Sequence, residues 1–229
     1  MDDVDPRLSK LILAHAAVGA GLSLASSIRH QGTRRAAALF ALGVCLPAAG
    51  ELLATGPLKL LRHRTRPRVA GVPVAVLLGW YCAINGSLSL AENALTHLPL
   101  DEATREGLPP FGAALVGTSL DLVLDPAGLD AGLWEWNGDG AYAREVEGAN
   151  GRSGVPLVNY AGWLALVAGV VATHGRLFGE RRPAGRLPAL LLLPYYLAAA
   201  AWAIRRRRFR YLLFSSPFAV ALYVGLKKG

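Results

Sequence analysis

The chain has 229 residues, of which 53% are hydrophobic and 17% are charged, and its mean hydropathy is +0.35. Soluble domains carry about 25% charged residues, so this composition excludes an ordinary soluble globular protein. The formal net charge of +8 comes largely from short basic runs between apolar blocks, such as Lys59–Arg68 and Arg205–Arg210. Basic runs in this position favour contact with anionic lipid headgroups and argue against nucleic-acid binding.

Seven apolar blocks approach the length of about 20 residues that a helix needs to cross a hydrocarbon core. In chain order they are Leu11–Ile28, Ala36–Ala54, Val69–Ala91, Phe111–Leu129, Val155–Thr173, Leu187–Ile204 and Tyr211–Leu226. A soluble bundle would instead show amphipathic stripes on its surface helices. The pattern predicts an all-α, polytopic integral membrane bundle of about seven transmembrane helices, with residues 1–229 forming a single domain.

The N-terminal residues predict a retained first span and not a cleaved signal peptide. Residues 1–10 carry Asp2, Asp3 and Asp5 where a signal peptide has a basic start, and no small-residue cleavage site follows the first apolar block. Lysine and arginine are slightly more numerous in the segments on the side of the N-terminus, which favours a cytoplasmic N-terminus.

A ten-residue sequence occurs twice in related form, at Gly71–Trp80 and at Gly154–Trp163. Both copies begin with Gly-Val-Pro and end with Gly-Trp, and each opens an apolar block that follows a block containing an acid. The similarity predicts an internal repeat of helix pairs, with units at residues 36–91 and 111–173 that face a shared cavity. Chance similarity between two hydrophobic helices is the alternative.

Three acids within or at the ends of apolar blocks are candidates for chemistry, because charged groups in lipid are costly. Asp121 and Asp125 are four residues apart and therefore lie on one face of a helix. Two carboxyl groups crowded together cannot easily both ionise, so one keeps its proton and can act as a general acid. Hydrogen bonding to a neighbouring helix and metal binding are the alternatives for this pair.

Glu51 lies near the end of the second apolar block and is predicted to be a second catalytic carboxylate. The alternative is an interfacial charge that pairs with Arg62 or Arg64. His15, inside the first block, is predicted to contact the substrate, although a hydrogen-bonded packing role is the alternative for a single histidine in a helix.

Aromatic residues gather around the second half of the chain, following the two aspartates. Their indole and phenol faces can stabilise a carbocation, whereas the alternative is an aromatic belt at the membrane interface. The predicted substrate contacts are Trp80, Trp134, Trp136, Tyr160, Trp163 and His15.

Several motifs that would indicate other chemistry do not occur in the sequence. It contains no HExxH, CxxC, P-loop or GxSxG, and only one Asp-x-x-x-Asp, whereas membrane prenyltransferases need two aspartate-rich motifs. The prediction is therefore an enzyme without a metal and without a cofactor.

Three segments carry a resemblance to a known family: Asp121–Pro126, Gly132–Trp136 and Gly154–Trp163. Together with Glu51 and the first Gly-Val-Pro copy, they resemble the carotenoid biosynthesis proteins typified by bisanhydrobacterioruberin hydratase. The resemblance implies a membrane-embedded, cofactor-free hydratase that adds water to the terminal double bond of a linear carotenoid or isoprenoid end group. The positions that match the family's motifs are Asp125, Trp134, Trp136, Asn159, Trp163 and Glu51.

In the implied mechanism, Asp121 and Asp125 are the proton source, and Glu51 or Asn159 positions the attacking water. The implied partners are a lipophilic carotenoid or isoprenoid substrate, membrane lipids and other carotenoid-pathway enzymes, with the cytoplasmic membrane of a prokaryote as the expected location. The chain departs from the family's pattern at Leu58–Arg68 and at Ala143–Ser153. Two alternative functions stay open: a cyclase that starts by protonation, and a non-catalytic transporter or binding protein for a hydrophobic ligand.

Overall fold

A computed structural model describes residues 3–179 and 185–226 as a helical bundle with three short β-ribbons. The helices are α1 Pro6–Gln31, α2 Thr33–Thr55, α3 Val74–Leu95, α4 Glu102–Gly107, α5 Pro109–Asp130, α6 Leu157–Phe178, α7 Leu187–Leu190, α8 Leu193–Arg205, α9 Arg210–Phe214 and α10 Ser216–Leu226. The strands are β1 Leu61–His63, β2 Arg68–Val69, β3 Val72–Pro73, β4 Trp134–Trp136, β5 Tyr142–Glu147 and β6 Ser153–Val155.

Within the described part of the chain, five helical segments are long and apolar enough to cross a bilayer. They are α1, α2, α3, α6 and the segment Leu187–Arg205, which contains α7 and α8. This confirms a polytopic all-α membrane bundle, but the predicted count of seven is not confirmed. Helix α5 has 22 residues but carries three acids, and α10 has only 11 residues.

Helices α3 and α5 form the centre of the bundle. Helix α5 packs against α3, α6, α8 and α10, so most of its polar side chains contact protein and not lipid. Helix α3 is bound to α1 by the buried side chain of Asn85, whose amide nitrogen donates to the hydroxyl groups of Ser23 at 2.8 Å and Ser27 at 2.9 Å. Such interhelical hydrogen bonds supply attraction where lipid removes the hydrophobic driving force.

The β-ribbons lie at one end of the bundle, where α2 and α5 end and where α3 and α6 begin. Strands β1 and β4 pair antiparallel, with Leu61 opposite Trp136, Arg62 opposite Glu135 and His63 opposite Trp134. The ribbon therefore joins the segment that follows α2 to the segment that follows α5.

The two Gly-Val-Pro copies have matching local structure. Gly71 and Gly154 adopt positive φ angles of 89° and 80°, which favour glycine, and both lie in a ribbon. Pro73 and Pro156 then cap α3 and α6 with the same φ of −65°, and both helices have 22 residues. The similarity in sequence thus corresponds to a shared structure at the start of each helix, while duplication of the whole units stays a prediction.

Three arginines of the basic run after α2 make contacts within the protein, and contact of this run with lipid headgroups stays a prediction. Arg64 contacts Glu135, and Arg66 and Arg68 bind the carboxylate of Asp3. The hydrogen bonds from Arg68 and Arg66 lower the pKa of Asp3 below its usual value. Because this pKa is lowered on folding, the contact is present at neutral pH and is lost as the pH falls through the lowered value.

A proline inside α5 leaves one backbone carbonyl of the helix without its usual N–H donor. A side chain of β5 supplies a donor in its place. Pro126 has no N–H group, so the carbonyl of Leu122, four residues earlier, lacks its helical partner. The hydroxyl group of Tyr142 in β5 donates to this carbonyl oxygen at 2.7 Å. The ribbon at β5 is thereby held against α5 next to its two aspartates.

We expect Tyr142→Phe to lower the free energy of unfolding by about 1–3 kcal/mol, because it leaves the Leu122 carbonyl unpaired. Thermal unfolding in detergent measures the effect, and Tyr196→Phe is the control, since the Tyr196 hydroxyl makes no hydrogen bond to a described residue. In a Pro126→Ala background the restored N–H can bond to Leu122, so the loss should be smaller. An equal loss in both backgrounds would contradict this assignment.

Candidate functional site

A cavity of about 450 Å³ lies at the ribbon end of the bundle. Side chains from α1, α2, α3, α5, α6, α8, β1 and β4 line it, and most of them are apolar. The acidic and histidine side chains in its lining are Glu51, His63, Asp121 and Asp125, and the amide of Asn159 joins them. Polar groups of this kind, converging on a largely apolar cavity, are typical of a binding or catalytic site.

Asp121 and Asp125, which we call the acid pair, lie one turn apart on α5 and are 4% and 3% exposed. The amide nitrogen of Asn159 on α6 donates to Oδ2 of Asp121 at 2.9 Å and to Oδ2 of Asp125 at 2.8 Å. The indole N–H of Trp134 donates to Oδ1 of Asp125 at 2.5 Å. Two buried carboxyl groups that share one amide cannot easily both carry a charge, so the arrangement favours one proton held by the pair.

Glu51, at the end of α2, lies in the same cavity lining and has different donors from the acid pair. Its Oε2 lies 2.8 Å from Nε2 of His63, and its Oε1 accepts a hydrogen bond from the indole N–H of Trp80 at 2.9 Å. Of the two arginines that the sequence offered as alternative partners, Arg62 is exposed and Arg64 contacts Glu135 of β4.

The tryptophans at the ends of the two repeated sequences stack on each other. The ring centroids of Trp80 and Trp163 are 4.0 Å apart, with an angle of 28° between the planes. Both rings line the cavity, as do Trp134 and Trp136. Four of the six predicted substrate contacts are therefore brought to the cavity by the fold.

The other two predicted contacts, Tyr160 and His15, lie outside the cavity lining of the described residues. Tyr160 is buried, and its ring packs edge-on against Tyr142 at 5.1 Å. His15 is exposed on α1, and its ring contacts Tyr195, which lines the cavity, at 4.7 Å. A direct contact with substrate therefore stays a prediction for both residues.

Sequence interpretation missed His63, which stands within the basic run. A signal was present, because Leu61, His63 and Thr65 alternate with Arg62 and Arg64. Alternation of this kind places every second side chain on one face of a strand. The structure places Leu61, His63 and Thr65 in the cavity lining.

The fold and the cavity define a polytopic membrane protein in which buried carboxyl groups face an apolar cavity large enough for part of a hydrophobic molecule. The chain belongs to the carotenoid biosynthesis protein family, whose model matches residues 9–226. The comparisons with curated proteins and with solved structures give no match. Membership confirms the predicted family and supports a role in carotenoid biosynthesis, with a lipophilic isoprenoid substrate in a membrane environment.

Proposed function

We propose that the protein is a membrane-embedded hydratase that adds water to the terminal double bond of a linear carotenoid or related isoprenoid. The observation that carries this proposal is the acid pair, Asp121 and Asp125, sharing the amide of Asn159 in the lining of an apolar cavity. A carboxyl group that keeps its proton next to an apolar substrate is suited to protonate an alkene.

The proposed reaction has two steps. The acid pair transfers a proton to the less substituted carbon of the terminal double bond, which leaves a tertiary cation on the other carbon. The faces of the stacked rings of Trp80 and Trp163 stabilise this charge by cation–π interaction. Water then attacks the cation and gives a tertiary alcohol, with its surplus proton passing to a basic group in the cavity lining.

Cyclisation is the second candidate, because the cavity lining is mostly apolar. If water is excluded, a neighbouring double bond of the same substrate captures the cation and closes a ring.

The location in the cytoplasmic membrane of a prokaryote and an association with other carotenoid-pathway enzymes are also part of the proposal.

Expression in cells that make lycopene or another linear carotenoid tests the proposal, with pigment masses compared against cells carrying an empty vector. We expect a pigment that has gained the mass of one water molecule. A pigment of unchanged mass with shifted absorption and retention would favour the cyclase. No new pigment from any linear carotenoid supplied would contradict both enzymes and favour a transporter or binding protein.

A further inference from the structure

The carboxyl groups in the cavity lining differ in the donors that stabilise their charge. Each oxygen of Glu51 faces its own N–H donor, Trp80 on Oε1 and His63 on Oε2. Asp121 accepts only one hydrogen bond from the described residues, from the amide that Asn159 shares with Asp125. A carboxylate is stabilised by each donor that it accepts, so the negative charge is best held by Glu51 and the proton by Asp121.

His63 is arranged to keep Glu51 in that state. Its side chain is 4% exposed, and Nδ1 is buried without a hydrogen-bond partner among the described residues. A protonated imidazole would leave an N–H group at Nδ1 buried and unpaired, which is costly. The favoured form is therefore the neutral ring with its hydrogen on Nε2, and this form donates to Oε2 of Glu51 at 2.8 Å.

Strand pairing fixes the position of His63 relative to the acid pair. His63 lies directly opposite Trp134 in the β1–β4 ribbon, and Trp134 is the donor to Asp125. The β1–β4 ribbon thus places His63 next to Glu51 and Trp134 next to the acid pair. A shift of its register would move both donors together.

We propose that His63 is a positioning residue that holds Glu51 ionised and oriented to accept a proton from the attacking water, while Asp121 protonates the substrate. The inference rests on the proposed function. In the hydration step the water oxygen forms the C–O bond, one O–H bond breaks, and that proton goes to the Glu51 carboxylate. Transfer of a proton from Glu51 to Asp121 restores the starting state, so the sum is the addition of one water.

The test uses membranes that contain the full-length protein and a linear carotenoid in buffer made with deuterium oxide. Two products are measured: the tertiary alcohol, and deuterium at the end group of the recovered substrate. Deuterium exchange reports reversible protonation by the acid pair, whereas the alcohol also requires the activated water. The variants are His63→Leu, which lacks a donor, His63→Gln, which keeps an amide donor, and Arg62→Gln as the control on the exposed face of β1.

We expect His63→Leu to lower alcohol formation by up to about 100-fold, because Glu51 loses the group that orients it and a small misplacement of a reacting group has an effect of that size. Deuterium exchange should continue at a rate similar to that of the unaltered protein. His63→Gln should recover part of the alcohol, and Arg62→Gln should leave both products unchanged.

Two outcomes would overturn the role of His63. In one, His63→Leu forms alcohol at the unaltered rate; in the other, alcohol and deuterium exchange fall by the same factor, as expected of a purely structural residue. Failure of the proposed function itself would look different from failure of the role of His63. In that case the unaltered protein would form no alcohol and would exchange no deuterium.

Discussion

Asp121→Asn is expected to lower formation of the tertiary alcohol by at least about 100-fold, since an amide cannot donate a proton to an alkene. Asp125→Asn should have an effect of similar size, because in the proposed reaction the proton comes from the two carboxyl groups acting as a pair. In Asp121→Asn the amide oxygen can still accept the hydrogen bond from Asn159, because Asp121 accepts through one oxygen only. The thermal unfolding midpoint of this variant in detergent should therefore change little while the product is lost. In Asp125→Asn the midpoint should fall as well, because Asp125 accepts through both oxygens and the new NH2 group would face one of the two donors.

Asp130→Asn is the matched control for this pair of variants, because Asp130 is an acid on the same helix. Its carboxylate accepts hydrogen bonds from Trp202 and Arg206 and lies outside the cavity lining of the described residues. Product formation should be unchanged in this variant. Undiminished turnover in Asp121→Asn or Asp125→Asn would show that the altered carboxyl group takes no part in the reaction.

The parts of the fold that local pattern determines were predictable from the sequence. Apolar blocks of about 20 residues predicted the five helices that can cross a bilayer, because an apolar helix of that length spans the hydrocarbon core. Asp121 and Asp125 are four residues apart, about one turn of a helix, and this spacing placed both on one face of α5. The match over residues 9–226 confirmed the family that the short motifs had indicated.

The partner of Glu51 was not predictable, because it depends on pairing between distant segments. Strand β1 has only three residues and pairs with β4 more than 70 positions further along the chain. Neither strand has a hydrophobic pattern long enough to specify this register. The arginines on either side of His63 suggested a lipid-facing loop, while the ribbon places His63 in the cavity lining.

The two segments in which the resemblance predicts a departure from the family's pattern contribute to two of the ribbons. Leu58–Arg68 contains β1, and Ala143–Ser153 contributes to the ribbon of β5 and β6. The first of these supplies His63, whose ring contacts Glu51. This is where we expect the chain to differ from other family members in how it handles water.

The two repeated sequences have similar structure where they line the cavity, but the polar groups next to them differ. Trp80 and Trp163 occupy equivalent positions in the two repeated sequences and stack on each other. Asn159, which binds the acid pair, is matched by the apolar Val76 in the first copy. One side therefore carries two carboxyl groups that share one amide donor, and the other carries a single carboxyl group that contacts Trp80 and His63.

Gly128→Ala is expected to lower activity strongly although residue 128 has no polar side chain. Gly128 lies one turn after Asp125 on α5, and the indole of Trp134 packs directly on its backbone. A Cβ atom at position 128 would lie 2.1 Å from Cζ2 and 2.2 Å from Cη2 of that ring, so Trp134 would have to move. Movement of the ring breaks the hydrogen bond from its N–H group to Asp125.

The displacement should also reach Glu51, because His63 lies opposite Trp134 in the ribbon. We expect alcohol formation to fall by up to about 100-fold, as for other small misplacements of reacting groups. The free energy of unfolding should fall by about 1–3 kcal/mol from overpacking. Both are measured on the purified protein in detergent.

Gly169→Ala is the matched control, since a Cβ atom at this exposed position of α6 meets no atom within 4 Å. A second change separates packing from chemistry: Trp134→Phe in the Gly128→Ala background supplies a smaller ring without an N–H group. We expect this double variant to recover stability but not alcohol formation, because Asp125 still lacks its indole donor. Recovery of both would show that the Trp134 hydrogen bond is dispensable and that only the shape of the cavity matters.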